Sequence, residues 1–306
     1  MTADVKILMC APHHYDVDYV INPWMEGNIH RSSRDLAEEQ WGKLHKVLKE
    51  YATVELVPPE KGWPDMVFTA NAGLVLGDQV VLSRFFHPER QGEEPYFQKW
   101  FEDNGYTVHV LPEGLPFEGA GDALFDRAGG WLWAGYGFRP GLDSQPLLAE
   151  WLDVEVLSLR LVDGRFYHLD TCFCPLTDGY VLYYPAAFDD YSNRLIEMRV
   201  PADKRIAIDE VDAITFSCNT VNVGQTVVMN KASDRLKKKL ADCGFDVVET
   251  PLTEFLKAGG AAKCLTLKMT EPKQKTPQAS SLQSRVIHLE GHLLDSGLVN
   301  QALDTI

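Results

Sequence analysis

The feature that most constrains the fold is a period. Polar residues stand inside apolar runs at nearly even steps: Asn71 in VFTANAGLVL, Glu118 in LPFEGAGDALF, His168 and Asp170 in RFYHLDTCF, Cys218 and Asn219 in ITFSCNTVNV, and Cys264 in GGAAKCLTL. The steps from Asn71 through Glu118, His168 and Cys218 to Cys264 are 47, 50, 50 and 46 residues. A second repeat agrees with the first. Asp103–Pro112 (DNGYTVHVLP) returns 139 residues later as Asp242–Pro251 (DCGFDVVETP), about three such steps. Each reads as a helix end with Gly just past it, an aromatic, then a strand stopped by Pro.

Alternating strands and helices alone favour a doubly wound α/β sheet. The period points instead to five ββαβ units closing into a five-bladed α/β propeller with pseudo-fivefold symmetry. A unit of this size cannot bury its apolar face alone, and a ring leaves few open strand edges. The expected elements are a strand over 5–10 and a helix from a capping box at Ser32 and Asp35, with Ala37, Trp41, Leu44, Leu48 and Tyr51 on its apolar face. A strand TVELV, two short strands around Asn71, and a strand QVVLSRF follow. The next helix is opened by Pro95 and closed by Gly105. The propeller is expected to span 1–270. A polar linker, 271–284, then leads to a tail, 285–306, in which Leu298, Ala302 and Ile306 fall at helical spacing.

Asp and Glu number 44 against 29 Lys and Arg, a net charge of −15. That balance argues against nucleic acid or anionic lipid as partner and leaves room for a small cation. No apolar run approaches the ~18 residues of a membrane span, and the start, MTADVKILMC, does not read as a signal peptide. The six scattered cysteines read as reduced thiols of a cytoplasmic protein, with Cys172 and Cys174 as core rather than zinc ligands. His13, His14, His30, His45, His87 and His109 show no metal-ligand spacing, and no Gly-rich phosphate loop follows a strand; His288 and His292 invite a metal reading but are expected to pack against the domain or a neighbouring subunit. No cofactor and no metal are expected.

In a closed ring, equivalent positions meet near the axis. Each polar residue alone has an ordinary structural reading: a buried Cys packs as a small hydrophobe, a His is satisfied in the core, an Asn or Glu beside Gly makes a turn. Together they supply a thiol, an imidazole and carboxylates, the groups needed for nucleophilic attack on a cationic carbon. Cys264 is the expected nucleophile. Gly259 and Gly260 let the backbone approach closely ahead of it, and Lys263 and a protonated His168 are placed to lower its thiol pKa.

These residues carry a resemblance. FTAN ending at Asn71, Phe117 to Asp122, His168-Leu169-Asp170 and Gly259 to Cys264 are similar to motifs of the guanidino-group modifying enzymes. That superfamily of five-bladed α/β propellers contains arginine deiminases, dimethylarginine hydrolases and amidinotransferases. The likeness covers about residues 5–270. It is nearest to the arginine dihydrolases, which form the N-terminal part of bifunctional dihydrolase/ornithine cyclodeaminases. Two departures stand out. The guanidinium-binding Asp of the deiminases is Asn71 here, and their E-G-G-D is lengthened to Glu118-Gly119-Ala120-Gly121-Asp122.

The resemblance implies that Glu118 and Asp170, with Asp122 as a further acid, hold a guanidinium through charge-assisted hydrogen bonds. Cys264 attacks its carbon, and His168 protonates the departing amine and then activates water. Asn71 donates where an Asp would repel, so a neutral ureido group stays bound for a second round. The expected reaction takes L-arginine to L-ornithine, two ammonia and CO2. Arg90 and Arg139, in Gly/Pro-flanked segments, are expected at the substrate carboxylate, with Asn22 nearby. A one-step deiminase giving citrulline, an N-succinylarginine dihydrolase, an amidinotransferase and a non-catalytic arginine-binding module remain open on the sequence. So do a homo-oligomer and a covalently following ornithine-processing domain.

Overall fold

The computed structural model describes residues 5–271; the expected linker beyond Glu271, the tail, His288 and His292 lie outside the described residues. The chain is mixed α/β and is built on five separate three-stranded sheets. The strands and the five longer helices run in a repeating order. β1 (Lys6–Cys10), α1 (Arg34–Leu48) and β2 (Thr53–Val57) come first. β3 (Gly73–Leu76), β4 (Gln79–Leu82), α2 (Glu94–Asp103) and β5 (Thr107–His109) follow. Next are β6 (Ala123–Phe125), β7 (Trp131–Tyr136), α3 (Gln145–Leu152) and β8 (Glu155–Arg160). Then come β9 (Phe173–Leu176), β10 (Tyr180–Tyr183), α4 (Asp190–Arg199) and β11 (Arg205–Ala207). The last set is β12 (Val221–Val223), β13 (Thr226–Met229), α5 (Asp234–Asp242) and β14 (Asp246–Glu249), and β15 (Leu267–Lys268) ends the series.

Four sheets have the same topology: a tight antiparallel pair, then a helix crossing to a parallel third strand, as in β3-β4-β5 and β12-β13-β14. The fifth joins the two ends of the described chain, with β15 antiparallel and β2 parallel to β1. The middle strands are apolar and buried past their first residue, as β4 and β10 show, because both their faces are covered. Three apolar clusters tie the sheets together. Trp133, Phe173 and Val227 share one, Leu8, Val81 and Leu132 another, and Ile7, Met9 and Val228 the third.

The α1 helix shows how the local pattern sets the packing. Ala37, Trp41, Leu44 and Leu48 form its buried stripe, as the spacing predicts, and each fully buried Leu contributes about 1.5–3 kcal/mol. Its cap is Ser33, whose hydroxyl accepts from the Leu36 N–H; Ser32 is not the cap, and Tyr51 lies beyond the helix. The repeated decapeptide is confirmed at Gly105 (φ +82°) and Gly244 (φ +86°), which end α2 and α5 in the left-handed region that favours glycine.

One expectation is corrected. The periodic polar residues do not interrupt strands; they sit in single turns just ahead of a sheet's first strand. MVFTA is a pair of 3-10 turns, Pro64–Val67 and Thr69–Ala72, in which the Phe68 and Asn71 N–H groups bond back to Asp65 and Phe68. Those i to i−3 bonds consume donors that a strand ladder would need. Equivalent turns are Gly119–Gly121 and Leu169–Thr171.

Candidate active site

The turns of Asn71, His168 and Cys264 meet at one solvent-open cleft of about 270 Å³. Of the residues expected from sequence, Asn22, Asn71, Arg90, Arg139, His168 and Cys264 line it. Glu118, Asp122 and Asp170 are buried and act on the lining residues: Glu118 on His168, Asp122 on Glu118, and Asp170 on Cys264.

His168 leads into its turn in extended conformation, which aims the imidazole at the neighbouring sheet's turn. Its Nε2 lies 2.8 Å from Glu118 Oε2, and its Nδ1 lies 3.5 Å from Asn71 Nδ2. Burial would raise the Glu118 carboxyl, but Arg139, His168 and Arg90 together hold it well below the usual carboxylate range. Burial pushes His168 down to about 4, against the pull of Glu118. The imidazole is therefore neutral near pH 7, and the Nε2–H toward Glu118 leaves Nδ1 facing the Asn71 amide.

Asp122 accepts the Glu118 N–H at 2.7 Å through Oδ2 and keeps Oδ1 unpartnered, 3.9 Å from His168 Nε2. Burial and the adjacent Glu118 charge drive it well above the usual carboxylate range. The lengthened Glu118–Asp122 turn places Gly121 where any side chain would collide. A Cβ there would lie 2.4 Å from Asn71 Nδ2 and 3.1 Å from His168 Nδ1.

Cys264 sits 4% exposed at the cleft. Its sulfur lies 3.5 and 3.7 Å from the Asp170 carboxylate oxygens and receives the Asn219 amide N–H at 3.1 Å. The thiol is pushed well above its ordinary value, first by burial and then by Asp170, which outweigh Lys263. This corrects the expectation of a thiol lowered by Lys263 and a protonated His168: the unliganded site holds a neutral thiol and a neutral imidazole. Burial likewise lifts Asp170 to about 6. The close approach expected of the glycines is present, since Gly259 (φ +81°) offers its carbonyl to the Tyr167 hydroxyl at 2.9 Å.

Arg90 is 3% exposed, so it is no surface arginine. It forks onto Glu93 at 2.9 and 2.8 Å, lies 4.3 Å over the Phe85 ring, and gives its third arm to Asn71 Oδ1 at 3.0 Å. Arg139 donates to Glu118 Oε2 at 2.9 Å and to the Ile21 carbonyl at 3.0 Å, 4.3 Å over the Tyr167 ring. Asn22 caps the turn Pro23–Met25 through Oδ1 and donates to Ala258 O and Tyr167.

The sequence reading missed Asp65 and Tyr167. Asp65 lines the cleft, is 2% exposed, bonds the Tyr19 hydroxyl through Oδ2, and has no partner at Oδ1. Its one signal was an acid after Pro64 in an otherwise apolar run, WPDMVF. Among the described residues, one group could gather a cation, the largely exposed Asp16, Asp18 and His30, and none of these lines the cleft.

A buried thiol facing a carboxylate, beside an imidazole held by a second carboxylate, is the set of groups that nucleophilic catalysis by cysteine requires. No family model matches the chain. The bifunctional arginine dihydrolase/ornithine cyclodeaminase AgrE of Nostoc sp. is 72% identical over all of this chain and 44% of its own length. The chain thus spans less than half of that relative. The dimethylarginine dimethylaminohydrolase of Mycobacterium tuberculosis is 38% identical over 86% of this chain and 85% of its own. The solved N-terminal domain of ArgZ, an arginine dihydrolase from cyanobacteria, is 71% identical and superposes with a TM-score of 0.88 over 89% of this chain and all of that domain. Its structures include a C264S variant bound to substrate and an N71S variant covalently bound to a reaction intermediate. The chain belongs to the guanidino-group modifying enzymes, in the family of the arginine dihydrolase domains of AgrE and ArgZ.

Proposed function

We propose that the chain hydrolyses L-arginine to L-ornithine, two ammonia and CO2 through two rounds of covalent catalysis at Cys264. The observation that carries the reading is Asp170 at 3.5 Å from the Cys264 sulfur, beside a His168–Glu118 pair. A guanidinium placed against Asp170 presents its carbon to the sulfur and supplies the positive charge that favours the thiolate. The thiol proton passes to neutral His168, the sulfur bonds to the carbon, and His168 returns the proton to the departing amine. Water, deprotonated by His168, then displaces the sulfur and leaves the ureido group.

Asn71 is the residue for the second round. Its Oδ1 is engaged by Arg90, while its amide nitrogen bonds the Glu118 carbonyl at 2.9 Å and faces His168. A neutral amide there lets citrulline remain for a second attack, and the carbamate formed decomposes to CO2 and ornithine. Arg139 and Arg90 take the substrate carboxylate, Asp65 takes its ammonium through the unpartnered oxygen, and Asn22 shapes the wall between them. The ArgZ domain, solved as a C264S mutant bound to substrate and as an N71S form covalently bound to a reaction intermediate, supports this assignment.

The five sheets are the blades of a propeller in this reading. The shared apolar clusters support it, since β7, β1 and β13 each belong to two of them or lie on both their faces. Residues 1–270 form the catalytic unit in this reading, and the greater length of AgrE supports a following domain that processes ornithine in the whole protein. Incubation with L-arginine and quantification of ornithine, citrulline and ammonia tests the function. Two ammonia per ornithine is expected; citrulline as the end product reduces the activity to a deiminase, and no ammonia overturns it.

A further inference from the structure

We infer that Asn219 is the positioning residue of the nucleophile: it clamps the Cys264 turn to the neighbouring sheet and donates the hydrogen bond that stabilises the thiolate. The inference rests on Cys264 being the reactive thiol. Asn219 is fully buried ahead of β12, and all its polar capacity is spent on this turn and on the turn of Asp170. Its Oδ1 accepts the N–H groups of Ala261 and Cys264 at 3.0 and 3.1 Å. Its Nδ2 donates to the Asp170 carbonyl at 3.0 Å and to the Cys264 sulfur at 3.1 Å. The side chain therefore reads the backbone and the sulfur of one residue at once.

The electrostatics say why a donor is needed. The titratable groups facing the sulfur are Asp170 from the turn before β9, Tyr167 beside it, and Lys263 in its own turn, with His168 across the cleft. Asp170 opposes a negative sulfur until a cation neutralises it. Lys263 counters this from a distance, with its ammonium turned to the Ala120 carbonyl at 3.3 Å. Two N–H groups favour a negative sulfur, the Ala261 backbone N–H and the Asn219 amide at 3.1 Å, and Asn219 also orients the first through its Oδ1. A buried sulfur that loses such a donor bears more of the cost of desolvation when it ionises.

The substitution Asn219→Asp separates the two tasks. One carboxylate oxygen keeps the acceptor that holds the Ala261 and Cys264 amides, while the other replaces the donor with an acceptor. The readout is iodoacetamide alkylation of Cys264 against pH, followed by mass spectrometry of its peptide. We expect the Asn219→Asp profile to move up by at least one pH unit, so that the rate at pH 8 falls about tenfold or more, with kcat reduced and KM within about twofold. Asn219→Ala, which removes the donor without adding charge, moves the profile the same way by a smaller amount, about threefold in rate, and decides the matter if Asn219→Asp fails to fold. A purely structural role lowers the melting temperature and leaves the alkylation profile in place, and that result overturns the inference. Alkylation does not require arginine, so a wild-type protein inert toward arginine but with the expected Asn219 effects refutes the proposed reaction alone.

Discussion

Arg139 donates to Glu118 Oε2 at 2.9 Å and stands 3.4 Å from His168 Nε2, so a guanidinium of the protein already rests on the carboxylate that orients the imidazole. The proposed substrate carries the same group, so it would meet a site tuned by one of its own kind. Arg139 is the foremost of the neighbouring charges that keep Glu118 ionised against burial. Its replacement by Met removes that support, and Glu118 rises. Because Glu118 must be ionised to hold His168, the acid limb of kcat/KM moves to higher pH. Arg139→Met should lose more activity at pH 6 than at pH 8 and raise KM for arginine at least tenfold; a pH profile parallel to wild type refutes the coupling.

Asn71→Asp places a carboxylate against Arg90 and removes an N–H from the Glu118 carbonyl. The new Asp–Arg90 pair is tight and buried, and its charge repels a ureido oxygen. Product analysis should show citrulline accumulating or no turnover at all. Ornithine formed at the wild-type rate would sink the two-round reading.

Asp170 is raised by burial to about 6, well above its unfolded value. A raised carboxyl stabilises the fold below the unfolded pKa, and that contribution is lost as pH rises through about 6. Asp170→Asn should therefore be more stable than wild type at pH 8, by on the order of 3 kcal/mol or ~5 °C in Tm, and the gap should close below pH 4. The same variant should lack activity. Thermal melts across pH check the first part, and a gap independent of pH contradicts it.

Gly121→Ala is expected to cost about 1–3 kcal/mol of stability and more than tenfold in kcat, since the added methyl meets Asn71 and His168 and nothing softer. Unchanged turnover in a folded Gly121→Ala protein would show that the two side chains yield without consequence.

Much of this was legible in the chain. The period located Asn71, Glu118, His168, Asp170, Asn219 and Cys264, and the structure brings all six together, because repeated units of similar length repeat their turns as well as their strands. What the period could not give was backbone state. An Asn or Asp inside an apolar run reads as a polar break in a strand, whereas a 3-10 turn buries the same residues without ladder bonds. Protonation was also out of reach. Lys263 and a protonated His168 pointed to a lowered thiol, but depth of burial decides the matter, and sequence does not report depth. Asp65 escaped because its importance lies in an oxygen that lacks a partner.

The turns that carry the chemistry are each anchored by a sheet of their own. The turns are nonetheless tied to one another by side-chain amides, Asn71 to the Glu118 carbonyl and Asn219 to the Asp170 carbonyl and the Cys264 N–H. Such a site can be revised one position at a time, with binding charge, leaving-group chemistry and nucleophile each inherited separately. In the proposed reaction, an Asn in place of an Asp at residue 71 is a revision of that kind: a single letter that would alter how long a substrate is kept.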